Sequence, residues 1–279
     1  MSTNDEGTAS SRPDLESALA DLTTPAPVDF GLRVLRHVGI SPGRYDRYVH
    51  LPTDAGGLYV AFSPLAVTGS TLESMVVSAE MFEEVHWSRT RRTAIRDTTP
   101  FPGLRPALRT GRAKALPIDL GGLDEQQCAV LEAVRTVPRG QLRPISWIAR
   151  EAGLPSAREA GLPSAGEEAV VAALAANPAT LLVPCHRITY EDGSPCDAAY
   201  LPGTGRALRA AEDIDMERLA ALAGRGVVLM GSDTTNIYCH PTCAHARRIT
   251  PPHQRPFHSA SEARRAGYRA CRSCRPLTV

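Results

Sequence analysis

Four cysteines near the C-terminus constrain the fold of this chain more than any other feature of its sequence. Cys239 and Cys243 form one close-spaced pair, Cys271 and Cys274 form another, and 27 residues separate the two pairs. Two such pairs supply the four thiolates of a tetrahedral zinc site. The surrounding segment, residues 228–279, is small for a stable core, so metal binding would supply part of its folding energy. The spacing therefore predicts a small zinc module with Zn²⁺ as its cofactor.

The rest of the composition indicates a globular protein. The chain has 279 residues, 43% hydrophobic and 22% charged, which is enough for two or three domains. Its apolar stretches are too short or too interrupted to span a bilayer, and residues 1–29 lack the apolar core of a secretory signal. We therefore expect a cytoplasmic protein with no membrane partner, in which cysteines serve as ligands or nucleophiles more often than as disulfides.

Charge is distributed unevenly along the chain. The total of 31 basic and 30 acidic residues, a net charge of +1, argues against a polybasic nucleic-acid binder. Residues 1–117 carry 13 basic and 13 acidic groups, residues 118–213 carry 8 and 13, and residues 214–279 carry 10 and 4. The near-neutral total therefore conceals an acidic middle region and a basic C-terminal region that can attract phosphates.

The pattern of apolar residues predicts an α+β protein. Residues 57–62 are the clearest strand, and Pro64 ends it. Helices are predicted from residue 123 to the break at residues 138–140, at residues 146–152 with Ser146 as N-cap, and at residues 167–176. An octapeptide at residues 149–156 is repeated unchanged at residues 157–164, which lengthens the turn between the last two helices. Those two helices predict either a helix-turn-helix or an ordinary helical hairpin.

A single cysteine in the middle region stands in a reactive setting. Cys185 follows an apolar run and precedes His186 and Arg187. A buried thiol is an inert small hydrophobe, whereas a thiolate beside an imidazole or a cation is a nucleophile, and spacing alone leaves both interpretations open.

The residues around this cysteine resemble a known family. The run from Pro184 to Ile188, with Asn177 and Pro178 at the matching distance upstream, is similar to the active-site signature of the O6-alkylguanine-DNA alkyltransferases. The similarity is specific over residues 120–213. It implies a ribonuclease-H-like N-terminal domain at residues 30–117 and a helix-turn-helix alkyltransferase domain at residues 118–213, after a flexible tail at residues 1–29.

The resemblance also implies roles for individual residues. Cys185 would accept the alkyl group once, irreversibly, from a flipped-out guanine in double-stranded DNA, and the protein would act as a monomer. His186 would take the thiol proton through a water, oriented by Glu212, while Asn177 would hold the active-site turn. The substrate would be bound by Tyr200, Gly203, Arg187 and Trp147.

One position departs from the family pattern. The family places an arginine near the start of its recognition helix, and the matching residue here is Glu168. An acidic side chain there faces DNA phosphates with the wrong sign. We hypothesise that Arg158, from the second copy of the octapeptide, substitutes for the missing arginine.

The four-cysteine region resembles the zinc domain of Ada-type proteins, over residues 234–243 and 266–276. In that family the first cysteine is both a zinc ligand and a methyl acceptor from DNA phosphotriesters, and the matching residue is Cys239. Asn236 stands where the family usually has glycine, and His240 where it has arginine. A purely structural zinc site is the alternative.

The remaining cysteines and three histidines receive no chemical role. We predict that Cys128 is a core residue and assign nothing to Cys196. His245, His253 and His258 are expected to be solvated or to face phosphates, because four cysteines already complete tetrahedral zinc.

Together these features predict direct DNA repair by alkyl transfer to Cys185 and, at Cys239, from phosphotriesters. The alternative function is a lesion-sensing or methylation-responsive DNA-binding protein without efficient transfer. The methyl content of the protein after exposure to alkylated DNA distinguishes the two.

Overall fold

The N-terminal region is built around a four-stranded sheet. The computed structural model describes residues 26–155 and 164–276. After helix α1 (Phe30–His37), strands β1 (Asp46–Thr53), β2 (Gly56–Phe62) and β3 (Val67–Leu72) form an antiparallel meander, and β4 (Ala94–Arg96) pairs parallel with β1. The strand order is β3-β2-β1-β4. The strand predicted at residues 57–62 is confirmed, because β2 is apolar and buried over most of its length.

Helices α2 (Ala79–Thr90) and α3 (Leu104–Thr110) complete this region. Ser78 caps α2 by accepting a hydrogen bond from the amide of Met81, and Arg91 ends the helix in the left-handed conformation. Arg89 of this helix donates to the carbonyl of Pro178 in the middle region, as described below.

The middle region is mainly helical. Helices α4 (Glu125–Val134), α5 (Ile145–Glu151) and α6 (Ala165–Ala175) pack against one another. Capping boxes start α4 and α6, where Asp124 and Ser164 each accept from the third helical amide. Helix α5 begins at Ile145 rather than after Ser146, so Ser146 is not an N-cap: the preceding Pro144 has extended backbone and occupies that position.

The Cys185 motif lies in the connection that follows helix α6. Strand β5 (Arg143–Pro144) pairs parallel with β6 (Ile188–Thr189), and a 3-10 turn at Cys185–Arg187 immediately precedes β6. Helix α7 (Thr204–Ala210) follows. One hydrophobic core is continuous from the first sheet through α4, α5 and α6, so packing does not stop at residue 117.

The C-terminal region has a second four-stranded sheet. Helix α8 (Met216–Ala223) leads into β7 (Leu229–Ser232), β8 (Ile237–Cys239), β9 (Gln254–Phe257) and β10 (Arg269–Ala270), with α9 (Ala260–Arg265) before β10. The strand order is β10-β8-β7-β9. None of the helices in the described part of the chain is long and apolar enough to cross a membrane. Most of the predicted tail, and Arg158 with most of the second octapeptide, lie outside the described residues.

Candidate active site and metal centre

Cys185 begins the 3-10 turn that precedes β6, and it is fully buried. Its Sγ accepts a hydrogen bond of 3.2 Å from Nδ2 of Asn177, which also donates to the carbonyl of Val183 at 3.1 Å. The Asn177 Oδ1 accepts from the amide of Ala179 at 2.9 Å. Burial raises the pKa of the Cys185 thiol to about 12, against the hydrogen bond from Asn177, which lowers it. The resting side chain is therefore a protonated thiol whose lone pair is already oriented.

His186 and Glu212 form a buried relay beside this thiol. His186 Nε2 lies 2.9 Å from Glu212 Oε1, and both side chains are almost completely enclosed. Burial lowers the pKa of His186, and the Glu212 carboxylate opposes that shift. A neutral imidazole fixed by a carboxylate is suited to accept a proton.

Glu212 is held from several directions. It accepts from the amide of Gly140 at 2.9 Å and from Arg187, whose Nε lies 3.0 Å from Oε2 and whose Nη2 lies 2.6 Å from Oε1. Burial favours the neutral acid, but hydrogen bonds from His186 and Arg187 bring the pKa of Glu212 down to about 2. Glu212 is therefore an anion at neutral pH.

Arg187 lies behind this relay. It was predicted to bind substrate, but its side chain is only 2% exposed and its other nitrogen, Nη1, donates to the carbonyl of Val137 at 2.6 Å. The structure therefore places the Arg187 guanidinium as a clamp on Glu212.

Tyr200 and Gly203 come from the segment leading into α7. The Tyr200 hydroxyl accepts from the amide of His186 at 3.1 Å, and burial next to Cys185 raises the pKa of Tyr200 well above 10. Its proton is therefore retained, and the hydroxyl also lies 3.4 Å from Nδ1 of His186. Gly203 has φ +86°, a left-handed conformation that glycine adopts without strain, and it begins helix α7.

The structure adds positioning residues that the sequence patterns did not indicate. Arg209 is 3% exposed, binds both carboxylate oxygens of Asp197 at 2.7 and 2.9 Å, and donates to the carbonyl of His186 at 3.3 Å. Arg89 of α2 donates to the carbonyl of Pro178 at 2.9 Å. Both are arginines in helices of mixed composition, and no spacing rule marks them.

The edge of the first sheet also supports the active-site turn. Ser70 of β3 donates through its amide to the carbonyl of Pro178 at 3.0 Å and accepts from the amide of Thr180 at 3.1 Å. Its hydroxyl donates to the carbonyl of Thr180 at 2.7 Å. The turn that carries Asn177 is therefore an extension of the N-terminal sheet.

Trp147, which was also predicted to bind substrate, lies in a different place. Its side chain is buried in α5, and its Nε1 donates to the carbonyls of Cys274 at 3.0 Å and Arg275 at 3.1 Å. The structure thus puts Trp147 at the contact with the four-cysteine region and does not bring it to the Cys185 group, because α5 presents its indole to the C-terminal segment.

The four C-terminal cysteines converge on one point. The Sγ atoms of Cys239, Cys243, Cys271 and Cys274 all lie within 4.8 Å of one another, and all four residues are buried. Hydrogen bonds from the neighbouring thiols lower the pKa of Cys243, and contact with Cys243 and Cys274 raises the pKa of Cys239. Four sulfur donors packed this closely fit the ligand set of zinc, which would hold all four as thiolates.

Cys239 lines a surface depression of about 260 Å³, together with Thr234, His245 and Arg248. Asn236 has φ +50°, a left-handed conformation that asparagine tolerates better than most residues other than glycine. His245 approaches the cluster, with Nδ1 3.6 Å from Cys271 Sγ. His253 instead pairs with Asp233 at 2.8 Å.

The outer face of α6 is nearly uncharged. Ala165, Ala172 and Ala175 are exposed, and Glu168 is the acidic residue among them. Because Glu168 lies in the first turn of α6, its negative charge interacts favourably with the helix dipole. Helix stability therefore accounts for an acidic residue at this position, whereas DNA contact does not.

Family models match two parts of the chain. Residues 125–214 match the 6-O-methylguanine DNA methyltransferase, DNA binding domain, and residues 220–276 match the metal binding domain of Ada. The first match contains the Cys185 relay, and the second contains all four clustered cysteines.

Three relatives illustrate the similarity to characterised proteins. The DNA base-flipping protein of Thermus thermophilus is 34% identical over 143 residues, which are 51% of this chain and 84% of that protein. The methylated-DNA–protein-cysteine methyltransferase of Methanothermobacter thermautotrophicus is 36% identical over 77 residues, 28% of this chain and 38% of that one. The bifunctional transcriptional activator/DNA repair enzyme Ada of Escherichia coli is 35% identical over 79 residues, 28% of this chain and 20% of that one. The chain thus spans less than two thirds of the last two relatives.

Proposed function

Because this chain belongs to the O6-methylguanine-DNA methyltransferase family and also carries an Ada-type metal-binding domain, we propose that it repairs alkylated DNA directly. Cys185 accepts an alkyl group from O6-alkylguanine and keeps it. The observation that carries this proposal is the fully buried Cys185 thiol, held by Asn177 and adjacent to the His186–Glu212 pair.

The chemistry follows from the protonation states of these side chains. His186, neutral and fixed by Glu212, takes the Cys185 proton through a water, and the thiolate attacks the alkyl carbon. A sulfur–carbon bond forms, the bond between carbon and guanine O6 breaks, and the electron pair of that bond leaves with the guanine. Tyr200 is protonated and can donate a hydrogen bond to the departing base. Because the thioether is stable, each molecule reacts once.

The organisation of the chain supports an action on double-stranded DNA. We assign residues 30–117 to a ribonuclease-H-like domain, residues 118–213 to a helix-turn-helix domain with α6 as recognition helix, and residues 228–279 to the zinc domain. The guanine has to leave the stack to reach a buried thiol, and one relative is a DNA base-flipping protein. One chain contains every residue of the relay, which supports action as a monomer, and we assign the protein to the cytoplasm.

Cys239 is the proposed second methyl acceptor. When bound, zinc keeps the four sulfurs anionic without a separate base. Cys239 lines the depression beside Arg248, so a methylated phosphate can approach its sulfur there. The methyl carbon passes to sulfur, and the DNA retains an ordinary phosphodiester anion.

Intact-mass spectrometry tests both assignments. Incubation with a duplex that contains O6-methylguanine should add one methyl group to Cys185, and Cys185→Ser should abolish the increment. A duplex with a methyl phosphotriester should add one methyl group to Cys239, which Cys239→Ser abolishes in a protein that still binds zinc. An unmodified protein that nevertheless binds the lesion would instead support a lesion sensor.

A further inference from the structure

The four-cysteine module forms hydrogen bonds with one short segment of the middle region, residues 142–147. The amide of Leu142 donates to Oγ1 of Thr242 at 2.8 Å, directly before Cys243. Trp147, five residues farther along, donates to the carbonyl of Cys274. Both cysteine pairs are therefore held by residues 142–147, which lie in the methyltransferase match and outside the metal-binding match.

Arg143 lies in the sequence between these two contacts, and its burial has no explanation in the hydrogen bonds of the interface. It is 2% exposed, and its nitrogens donate to the carbonyl of Leu142 at 2.7 Å and to Oε1 of Gln141 at 2.8 Å. Its guanidinium carbon lies 5.5 Å from the centre of the Trp147 ring. Its Nε has no hydrogen-bond partner, and no carboxylate among the described residues forms an ion pair with it.

A buried guanidinium without a counter-charge is costly. Burial accordingly lowers the pKa of Arg143, while the charges of Cys274, Cys243, Cys271 and Cys239 raise it. Four thiolates around one Zn²⁺ carry a net charge of about −2. The metal site therefore supplies the negative charge that the environment of Arg143 otherwise lacks.

We propose that Arg143 is the counter-charge of the zinc site, supplied by the methyltransferase domain, and that it couples metal binding to docking of the C-terminal module. The inference rests on the zinc site of the proposed function. By linkage, whatever strengthens docking raises the zinc affinity by the same factor, and the reverse also holds. Methylation of Cys239 lowers the site charge from −2 to −1 and so weakens the attraction to Arg143.

Zinc affinity of the full chain provides the first test, measured by competition with a chromophoric chelator. Arg143→Met removes the charge at similar volume and should weaken zinc binding at least about tenfold, the effect typical of an outer-shell partner. Arg143→Lys keeps the charge and should bind zinc more tightly than Arg143→Met. The matched control is Arg92→Met, because Arg92 is already paired with Asp46 at 2.8 Å and its other hydrogen bonds go to the carbonyls of Gly43 and Tyr45 in the first region, away from the four-cysteine module.

The control should change zinc affinity by less than about threefold. Equal affinities of wild-type protein and Arg143→Met would overturn the proposal, as would equal losses in Arg143→Met and Arg92→Met. Absence of zinc binding by the wild-type chain is a different result, which would refute the metal site of the proposed function.

Amide hydrogen exchange of the wild-type chain provides a second test that needs no variant to fold. The Leu142 amide bonds across the interface, so removing zinc with a chelator should accelerate its exchange at least about tenfold if docking and metal binding are linked. The amide of Ala107, within the first region, is the internal control and should not change. An unchanged Leu142 rate would overturn the coupling.

Discussion

Replacing Glu212 by glutamine is the sharpest test of the buried relay. The pKa of Glu212 is held at about 2, below its ordinary value of 4.5, because His186 and Arg187 stabilise the carboxylate despite its burial. At about 1.4 kcal/mol per pKa unit, this corresponds to about 3 kcal/mol of folding stability at neutral pH. The figure agrees with the roughly 3–5 kcal/mol lost when one partner of a buried ion pair is removed.

The sign of the pH dependence follows from the lowered pKa. A carboxyl whose pKa is lower in the folded than in the unfolded chain contributes fully above about pH 4.5, and the contribution is lost as the pH falls toward 2. We therefore expect Glu212→Gln to be about 3 kcal/mol less stable than wild type at pH 7, and the difference to shrink to about half near pH 3.

Urea unfolding followed by circular dichroism measures this difference at each pH. Comparing two proteins that share the zinc site removes the effect of acid on the cysteines. The control is Asp54→Asn, which breaks the 2.6 Å pair of Asp54 with Arg139 at a carboxylate that is 67% exposed, and it should cost at most about 1 kcal/mol. A Glu212→Gln protein as stable as wild type at pH 7, or a difference independent of pH, would refute this account of the relay.

Three further changes probe other parts of the molecule. Glu168→Arg puts a cation on the exposed face of α6 and should accelerate single-turnover alkyl transfer in rapid-quench measurements; an unchanged rate would remove Glu168 from the DNA contact. Deleting residues 228–279, which carry eight arginines and two acidic residues, should weaken duplex binding and flatten its salt dependence, and equal salt slopes would contradict a DNA-binding role. Gly231→Ala places a Cβ 2.6 Å from Cε2 of the buried Phe257 ring and 2.9 Å from Cε1 of Tyr268 and should cost about 1–3 kcal/mol in urea unfolding, whereas Gly43→Ala, with no neighbour closer than 3.9 Å, should be neutral; similar costs would argue against the clash.

The parts of the site that lie in short sequence motifs could be predicted. The spacing of the paired cysteines follows from metal-ligand geometry, and the Cys185 segment resembles the active-site signature of a known family. The structure brings Asn177, His186 and Glu212 around the thiol. Arg143 could not be found this way. The cysteines whose charges act on it lie about a hundred or more residues away in the sequence, and this environment exists only once the C-terminal module is docked.

The fold was predictable where periodicity was strong. Strand β2 is buried along most of its length and therefore reads as a continuous apolar run. Helix α2 gave no such signal, because Met81, Val85 and Trp87 are exposed on it while His86 is buried. Its start is fixed instead by the Ser78 cap, and its buried polar contacts are tertiary, so its position depended on the sheet it covers.

The position of Trp147 at the interface has a practical consequence for optical spectroscopy. The chain has two tryptophans, and Trp87 is half-exposed on the surface of α2, whereas Trp147 is 3% exposed and surrounded by the guanidinium groups of Arg143, Arg150 and Arg275. In a Trp87→Phe protein, the emission spectrum comes from the single indole of Trp147, at the contact between α5 and the four-cysteine region. The emission wavelength shifts when water reaches that contact, so separation of the four-cysteine region from α5 can be followed in real time without an attached dye.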